Sequence, residues 1–304
     1  MIWTIIQKTA WPMTPPVPWS AFHIFFLLTG LTAAVGLTRL LCPPLSDPAA
    51  SASGSKSGLS HTPAKAPPAV SNVKGRPGVS PGNRRSRAIP GISDIKPTGF
   101  EKNDLVLFIC GITLTLGEIY KQLFLYVVVN QGFYDWWYFP FQLCSTPMYL
   151  CLSFPFLPRG KCRQTVALYL QSFGFLGGIM ALLEPSGLMH SYWTLTLHGL
   201  LWHILLIFIA FYCTAAGLAG KNSHGFVPAL LLFFLFCLIA TGINLFTGGR
   251  ADMFYISPYY PLTQVVFREI SLALGIWPGI GIYLASICLG AYLSRRILEI
   301  IFRN

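Results

Sequence analysis

Cys144 and His198 are the two residues whose types and placement offer covalent chemistry. A thiol served by an imidazole base is a nucleophile that splits an acyl transfer into two easier steps, the imidazole taking the thiol proton. The two residues fall in apolar segments near 137–157 and 192–217 that run in the same direction. At ~1.5 Å per helical residue, Cys144 lies about 12 Å below the start of its segment and His198 about 9 Å below the start of its own. They therefore share a depth. None of the other cysteines (42, 110, 151, 162, 213, 237 and 288) reaches it. Asn244, near the outer end of a later segment, joins the same layer and Gln142 borders it. Their amides are candidate donors to a developing oxyanion. A helix starting at Pro140 would also put Cys144 near a helix N-terminus, which favours the thiolate. The plainer account of the pair is a packing cysteine and a hydrogen-bonded core histidine.

Glu118 and Lys121 are the clearly intramembrane charges. Three residues apart on one helix, they can meet on one face. Charge at that depth marks either a functional site or a self-neutralised pair that orders the bundle. His190, His198 and His203 do not make a metal site: positions 198 and 203 are about 140° apart around a helix, and Glu184 is the single carboxylate near them in sequence. His23 reads as structural, and no metal or other cofactor is expected. The cysteines contain no C-x-x-C pair, which argues against zinc or a disulfide scaffold. Gly174-Phe-Leu-Gly177-Gly178 is a small-residue face for close helix packing, suited to drawing the two site-bearing segments together.

The elements that must hold these residues are set by composition. Of 304 residues, 54% are apolar and 10% charged, against roughly 25% charged in an ordinary soluble domain. Too few solvated side chains exist to cover a water-soluble globule, so an all-α polytopic membrane protein is expected. Seven segments are long enough to span: 20–41, 104–129, 137–157, 164–183, 192–217, 226–247 and 275–298. Pro140, Pro147 and Pro155 interrupt the third, which is tolerated only where neighbours satisfy the freed carbonyls. The domain reading is residues 1–42 with the first span, a basic Ser/Pro-rich linker over 43–100 that cannot bury enough apolar surface to order, and a six-helix remainder over 101–304. No N-terminal cleavage signal is evident.

The net charge of +11 does not point to nucleic acid, because nine of the 21 Lys and Arg residues sit around the linker and most others flank spans. An N-terminus outside and a C-terminus in the cytoplasm put the basic loops inside, leaving Lys8, Arg250 and Arg268 outside. Tyr134, Trp136, Trp137, Tyr138 and Phe139, with Tyr192 and Trp193, then form an outer aromatic belt. Cys42 and Cys162, beside basic residues at the inner face, are positioned for palmitoylation.

Several stretches resemble one family. Tyr138-Phe-Pro-Phe-Gln-Leu-Cys144 is similar to the Leu-Pro-Leu-x-Leu-Cys segment of YwaF-type integral membrane proteins. Residues 173–185 resemble their glycine-rich span ending in Leu-x-Pro, Leu197-His198-Gly199 their His-Gly pair, and the Asn244 region with Trp277-Pro278 their last two spans. The likeness covers residues from about 100 to 298, and more faintly the Ser20–His23 entry to the first span. Their animal relatives, the transmembrane protein 164 group, are described as cysteine-dependent acyltransferases of lysophospholipids, including ether lipids. The resemblance implies Cys144 as the acyl-accepting nucleophile and His198 as its base, with phospholipid and lysophospholipid substrates. The long Ser/Pro-rich linker points to a eukaryote and hence to the endoplasmic reticulum, with the plasma membrane as the compartment in a bacterium. Ala251-Asp252-Met253-Phe254 departs from the family's Asn-Tyr-Met stretch. The rival readings are a seven-helix receptor or transporter coupled through Glu118 and Lys121, and a lipid hydrolase that uses water as acceptor.

Overall fold

Inside hydrocarbon every backbone N–H and C=O must be bonded within the protein, so long apolar runs fold as helices. A computed structural model describes residues 2–43, 101–220 and 225–302. In chain order the helices are α1 (Ile2–Lys8), α2 (Ala21–Leu41), α3 (Lys102–Val129), α4 (Thr146–Ser153), α5 (Lys161–Leu183), α6 (Trp193–Ala215), α7 (Val227–Phe246), α8 (Val265–Leu274) and α9 (Ile276–Ile301). Among the described residues there is no strand; Pro12 and Tyr192 form an isolated antiparallel bridge. Six helices among the described residues, α2, α3, α5, α6, α7 and α9, are long and apolar enough to cross a membrane. The linker placed over 43–100 lies, apart from Pro43, outside the described residues.

The expectation of seven membrane helices is corrected at one place. Residues 137–157 are not one helix but a 3-10 turn at Trp136–Tyr138, turns that carry Cys144, the short α4, and a second 3-10 turn at Phe154–Phe156. The prolines explain the break, since each removes a backbone donor. Side chains of this segment and of its neighbours donate to the carbonyls left open. Gln122 donates to the Tyr138 carbonyl (2.6 Å), the Tyr149 hydroxyl to Pro140 (2.7 Å), and Trp202 Nε1 to Cys144 (3.1 Å). At the far end Arg163 donates to the carbonyls of Pro155 (2.8 Å) and Leu157 (3.0 Å) while pairing with Asp104 at 2.6 Å. The segment thus runs antiparallel to α3, from the level of Gln122 to that of Asp104.

Helices α5 and α6 form the centre: 67% and 61% of their most apolar stretches are buried, against 17–33% in the other four long helices. The outer four expose large apolar side chains such as Leu40, Leu238 and Phe246, which suits lipid and not water. Glycines fix the closest approaches. A Cβ on Gly178 of α5 would lie 3.1 Å from the His203 carbonyl oxygen of α6, and one on Gly111 of α3 would lie 2.7 Å from the Leu152 backbone nitrogen of α4. The segment before α2 is strapped across the ends of α3 and α6. Thr9 Oγ1 shares a 2.7 Å hydrogen bond with the Tyr120 hydroxyl, and the Met13 and Trp193 N–H groups donate to Ser191 and Trp11.

Candidate active site

Cys144 stands in the turn two residues before α4, which starts at Thr146 and not at Pro140. The depth count at helical rise therefore does not apply to residues 137–144, and packing sets the level instead. The Thr146 hydroxyl closes the turn onto the Leu143 carbonyl (2.9 Å) and meets the Tyr169 hydroxyl of α5 (2.9 Å). Gly177 of α5 lies flat against the cysteine: a Cβ there would sit 3.6 Å from Cys144 Cα and 3.7 Å from its Cβ. Gly174, one turn earlier, faces Pro147 in the same way. It ends a buried π-helical turn, Leu170–Gly174, inside α5. Such turns re-aim a helix face and recur at functional sites.

His198 reaches this turn through Trp202. Helical side chains lean toward the N-terminus, so the indole of Trp202 lies along the turn above it, where its ring meets His198 at 5.4 Å while its N–H holds the Cys144 carbonyl. His198 faces α3 on its other side, where a Cβ on Gly117 would be 3.4 Å from Nε2. Nε2 is buried against the Gly117 backbone, makes no hydrogen bond of good geometry, and does not bond the thiol. Among the described residues His23 also has a buried Nε2 without a partner, while the other ring and backbone groups of the histidines are engaged elsewhere. His203 Nδ1 bonds the Gly199 carbonyl (2.7 Å), His23 Nδ1 accepts from the Trp19 N–H (3.3 Å), and the His190 backbone is held by Thr196 Oγ1 (2.9 Å). In the 184–192 loop, burial and then the Lys121 charge lower the His190 pKa.

Gln142 and Asn244 are both engaged by one loop, residues 251–257. Gln142 donates Nε2 to the Asp252 carbonyl (2.8 Å) and accepts the Phe254 N–H on Oε1 (2.8 Å). Asn244, fully buried, does the same for Met253, at 3.1 Å to its carbonyl and 2.7 Å from its N–H. Between these clamps Phe254 and Tyr255 both have φ +57°, a left-handed backbone that costs a non-glycine residue about 1–2 kcal/mol. Asp252 Oδ1 accepts the Ser257 N–H (3.0 Å), whereas Oδ2 is buried without a partner. Burial raises its pKa to about 6, against the smaller effect of that hydrogen bond.

Glu118 and Lys121 of α3 form an ion pair at 2.9 Å, and Gln122 ties Glu118 Oε1 (2.7 Å) to the start of the Cys144 segment. Both charges lie within electrostatic range of Cys144, and Lys121 within range of His198. Sequence reasoning missed Trp202, Tyr169, Tyr255 and Tyr283. The three tyrosines come within electrostatic range of Cys144 from α5, the 251–257 loop and α9. Burial raises the Tyr255 pKa, so its hydroxyl remains a donor at neutral pH. The Trp202 signal was legible as one helical turn after His198; nothing in sequence linked the tyrosines to position 144.

Neither curated proteins nor solved structures provide a match to this chain. The sequence model of the TMEM164 family matches residues 90–293, which take in the Cys144 turn, His198, both amide clamps and the 251–257 loop. The match spans two thirds of the chain, which therefore belongs to the TMEM164 family.

Proposed function

We propose that this membrane protein is an acyltransferase that moves a fatty acyl chain between phospholipids through a thioester on Cys144. The observation that carries the reading is His198 Nε2. It is a buried imidazole nitrogen without a well-formed hydrogen bond, on a ring tilted against the same tryptophan that holds the Cys144 turn. An unsatisfied buried nitrogen costs stability, and a base kept vacant for a substrate-stage proton gives that cost a use. Family membership supports the reading independently.

In the first half-reaction the Cys144 S–H proton passes to His198 Nε2 and the thiolate attacks the ester carbonyl of a donor phospholipid. The tetrahedral intermediate collapses, and the C–O bond breaks. The leaving glycerol oxygen takes the proton from His198, releasing a lysophospholipid. In the second, the acceptor lysolipid hydroxyl gives its proton to His198 and attacks the thioester carbonyl. The departing Cys144 thiolate recovers that proton. Cys144 and His198 are not hydrogen-bonded in the free protein; that bond forms in the substrate complex, as is common for sites that are loose without substrate. Tyr255, a phenol within electrostatic range of Cys144, is a candidate oxyanion donor; Gln142 and Asn244 position the loop that carries it. The N-terminus faces the outside or lumen and the C-terminus the cytoplasm, which puts the thiol at the depth of glycerophospholipid esters in the outer leaflet. The compartment is the endoplasmic reticulum in a eukaryote, or the plasma membrane in a bacterium.

Lipid profiling of cells that express the wild type, Cys144→Ala or His198→Ala tests this. The wild type should remodel phospholipid acyl chains, and both variants should fold and lose the change. Accumulation of free fatty acid with the lysolipid would make the enzyme a hydrolase. Wild-type remodelling by Cys144→Ala, or no labelling of Cys144 by an acyl-mimic thiol probe, would refute the thioester and favour a receptor or transporter.

A further inference from the structure

At the opposite end of the bundle from Cys144 a cavity of about 220 Å³ opens between α5, α7, α9 and the residues that follow α6. It is lined by Lys161, Gln164, Thr165 and Leu168 of α5, by Gly220 after α6, and by Arg295 of α9. The α5 residues fall at i, i+3, i+4 and i+7, a single helical stripe that turns three polar groups and one apolar group into the same space. Lys161 lies 16 residues before Gly177, about 24 Å along the helix at 1.5 Å per residue. The cavity is therefore separate from the site of the thiol.

Its charge is unbalanced. Arg295 is nearly buried and pairs through Nε with Glu299 at 2.6 Å. That contact leaves the two terminal nitrogens of its guanidinium without a hydrogen bond among the described residues. Glu299 is shared with Arg296 (3.0 Å), and Lys161 has no ion-pair partner among the described residues. Two cations, Lys161 and Arg295, thus line the cavity and, among the described residues, no carboxylate does. A nearly buried guanidinium, an ammonium, an amide and a hydroxyl converging on one space form a donor set for a tetrahedral oxyanion. The volume is below the roughly 300 Å³ of a drug-sized site, so a nucleotide does not fit and a single phosphate group does. Basic pockets between membrane helices near the water interface suit lipid headgroups.

We infer that this cavity is a binding site for a phosphate group, carried by a lipid headgroup or free in solution, at the end of the bundle away from Cys144. The test uses the full chain in detergent and follows its melting temperature with dioctanoylphosphatidylglycerol, inorganic phosphate or dioctanoylglycerol. A phosphate-bearing ligand should raise the melting temperature and dioctanoylglycerol should not. Lys161→Gln and Gln164→Leu should each weaken the apparent affinity about tenfold, the scale of one lost hydrogen bond to a charged group. Stabilisation by the phospholipid alone assigns the site to a headgroup, and equal stabilisation by inorganic phosphate assigns it to the free ion. No shift with either phosphate ligand, an equal shift with dioctanoylglycerol, or a shift unchanged in both variants overturns the site. The readout is binding alone, so it stands apart from acyl transfer.

Discussion

Gln142→Leu should release the strained loop beside the thiol. The glutamine makes two hydrogen bonds across 110 and 112 residues of sequence, to Asp252 O and from Phe254 N, both 2.8 Å. At about 1 kcal/mol net for each bond, the clamp contributes roughly 2 kcal/mol, with a further ~1–3 kcal/mol if the Phe254 N–H stays buried and unpaired. Against it stands the left-handed backbone of Phe254 and Tyr255, about 2–4 kcal/mol for two non-glycine residues. The two terms are of one size, so removing the clamp lets the strain relax. A loss of ~2 kcal/mol raises the local opening equilibrium about 30-fold, which native-state hydrogen exchange reads directly. The Phe254 amide should exchange faster by that order. Met253, whose N–H is held by Asn244 at 2.7 Å, serves as the internal control and should change far less. On the proposed function, acyl transfer should fall with the Phe254 protection, because the loop that carries Tyr255 is no longer held. Unchanged exchange at Phe254, with transfer retained, would refute the clamp.

Three further outcomes are expected. Gly117→Ala places a methyl 3.4 Å from His198 Nε2, so the melting temperature should hold while transfer drops by about 10²-fold or more, the scale of a lost general base; full activity would show that this face of the imidazole is not used. Between pH 3.8 and about 6 the folded protein keeps a proton on Asp252 that the unfolded chain has released. Stability should therefore fall as pH rises through that window and level off above it, and Asp252→Asn should flatten this part of the profile; thermal melts that rise across the window in the wild type would reverse the sign. Gly279→Ala sets a Cβ 2.6 Å from Ser271 Cβ and 2.9 Å from its Cα, an overpacking cost of about 1–3 kcal/mol, and should lower the melting temperature and expose α8 to exchange. Gly281→Ala, with nothing within 4 Å, should leave both unchanged.

The sequence by itself determined the six long helices, with boundaries within three residues of those observed. An apolar run in hydrocarbon has no other way to bond its own backbone, so the local chain decides. The glycine face of α5 was legible for the same local reason, since only small residues allow the approach seen at Gly174, Gly177 and Gly178. The prolines announced that 137–157 would be interrupted, but not its rescue. The donors are Gln122, Tyr149, Trp202 and Arg163, and whether they reach the open carbonyls is a matter of packing. Tertiary structure alone decided the rest of the site. The level of Cys144 is set by Gly177 and Trp202 rather than by helical rise, and Gln142 and Asn244 became loop clamps because residues 252–254 fold back onto them. At 10 residues, α8 was too short to register as a span, and its turn into α9 relies on Gly275 at φ +97°. Periodicity and hydropathy report how a segment meets its solvent; the partners of a buried polar group, brought from a hundred residues away, exist only once the helices have packed.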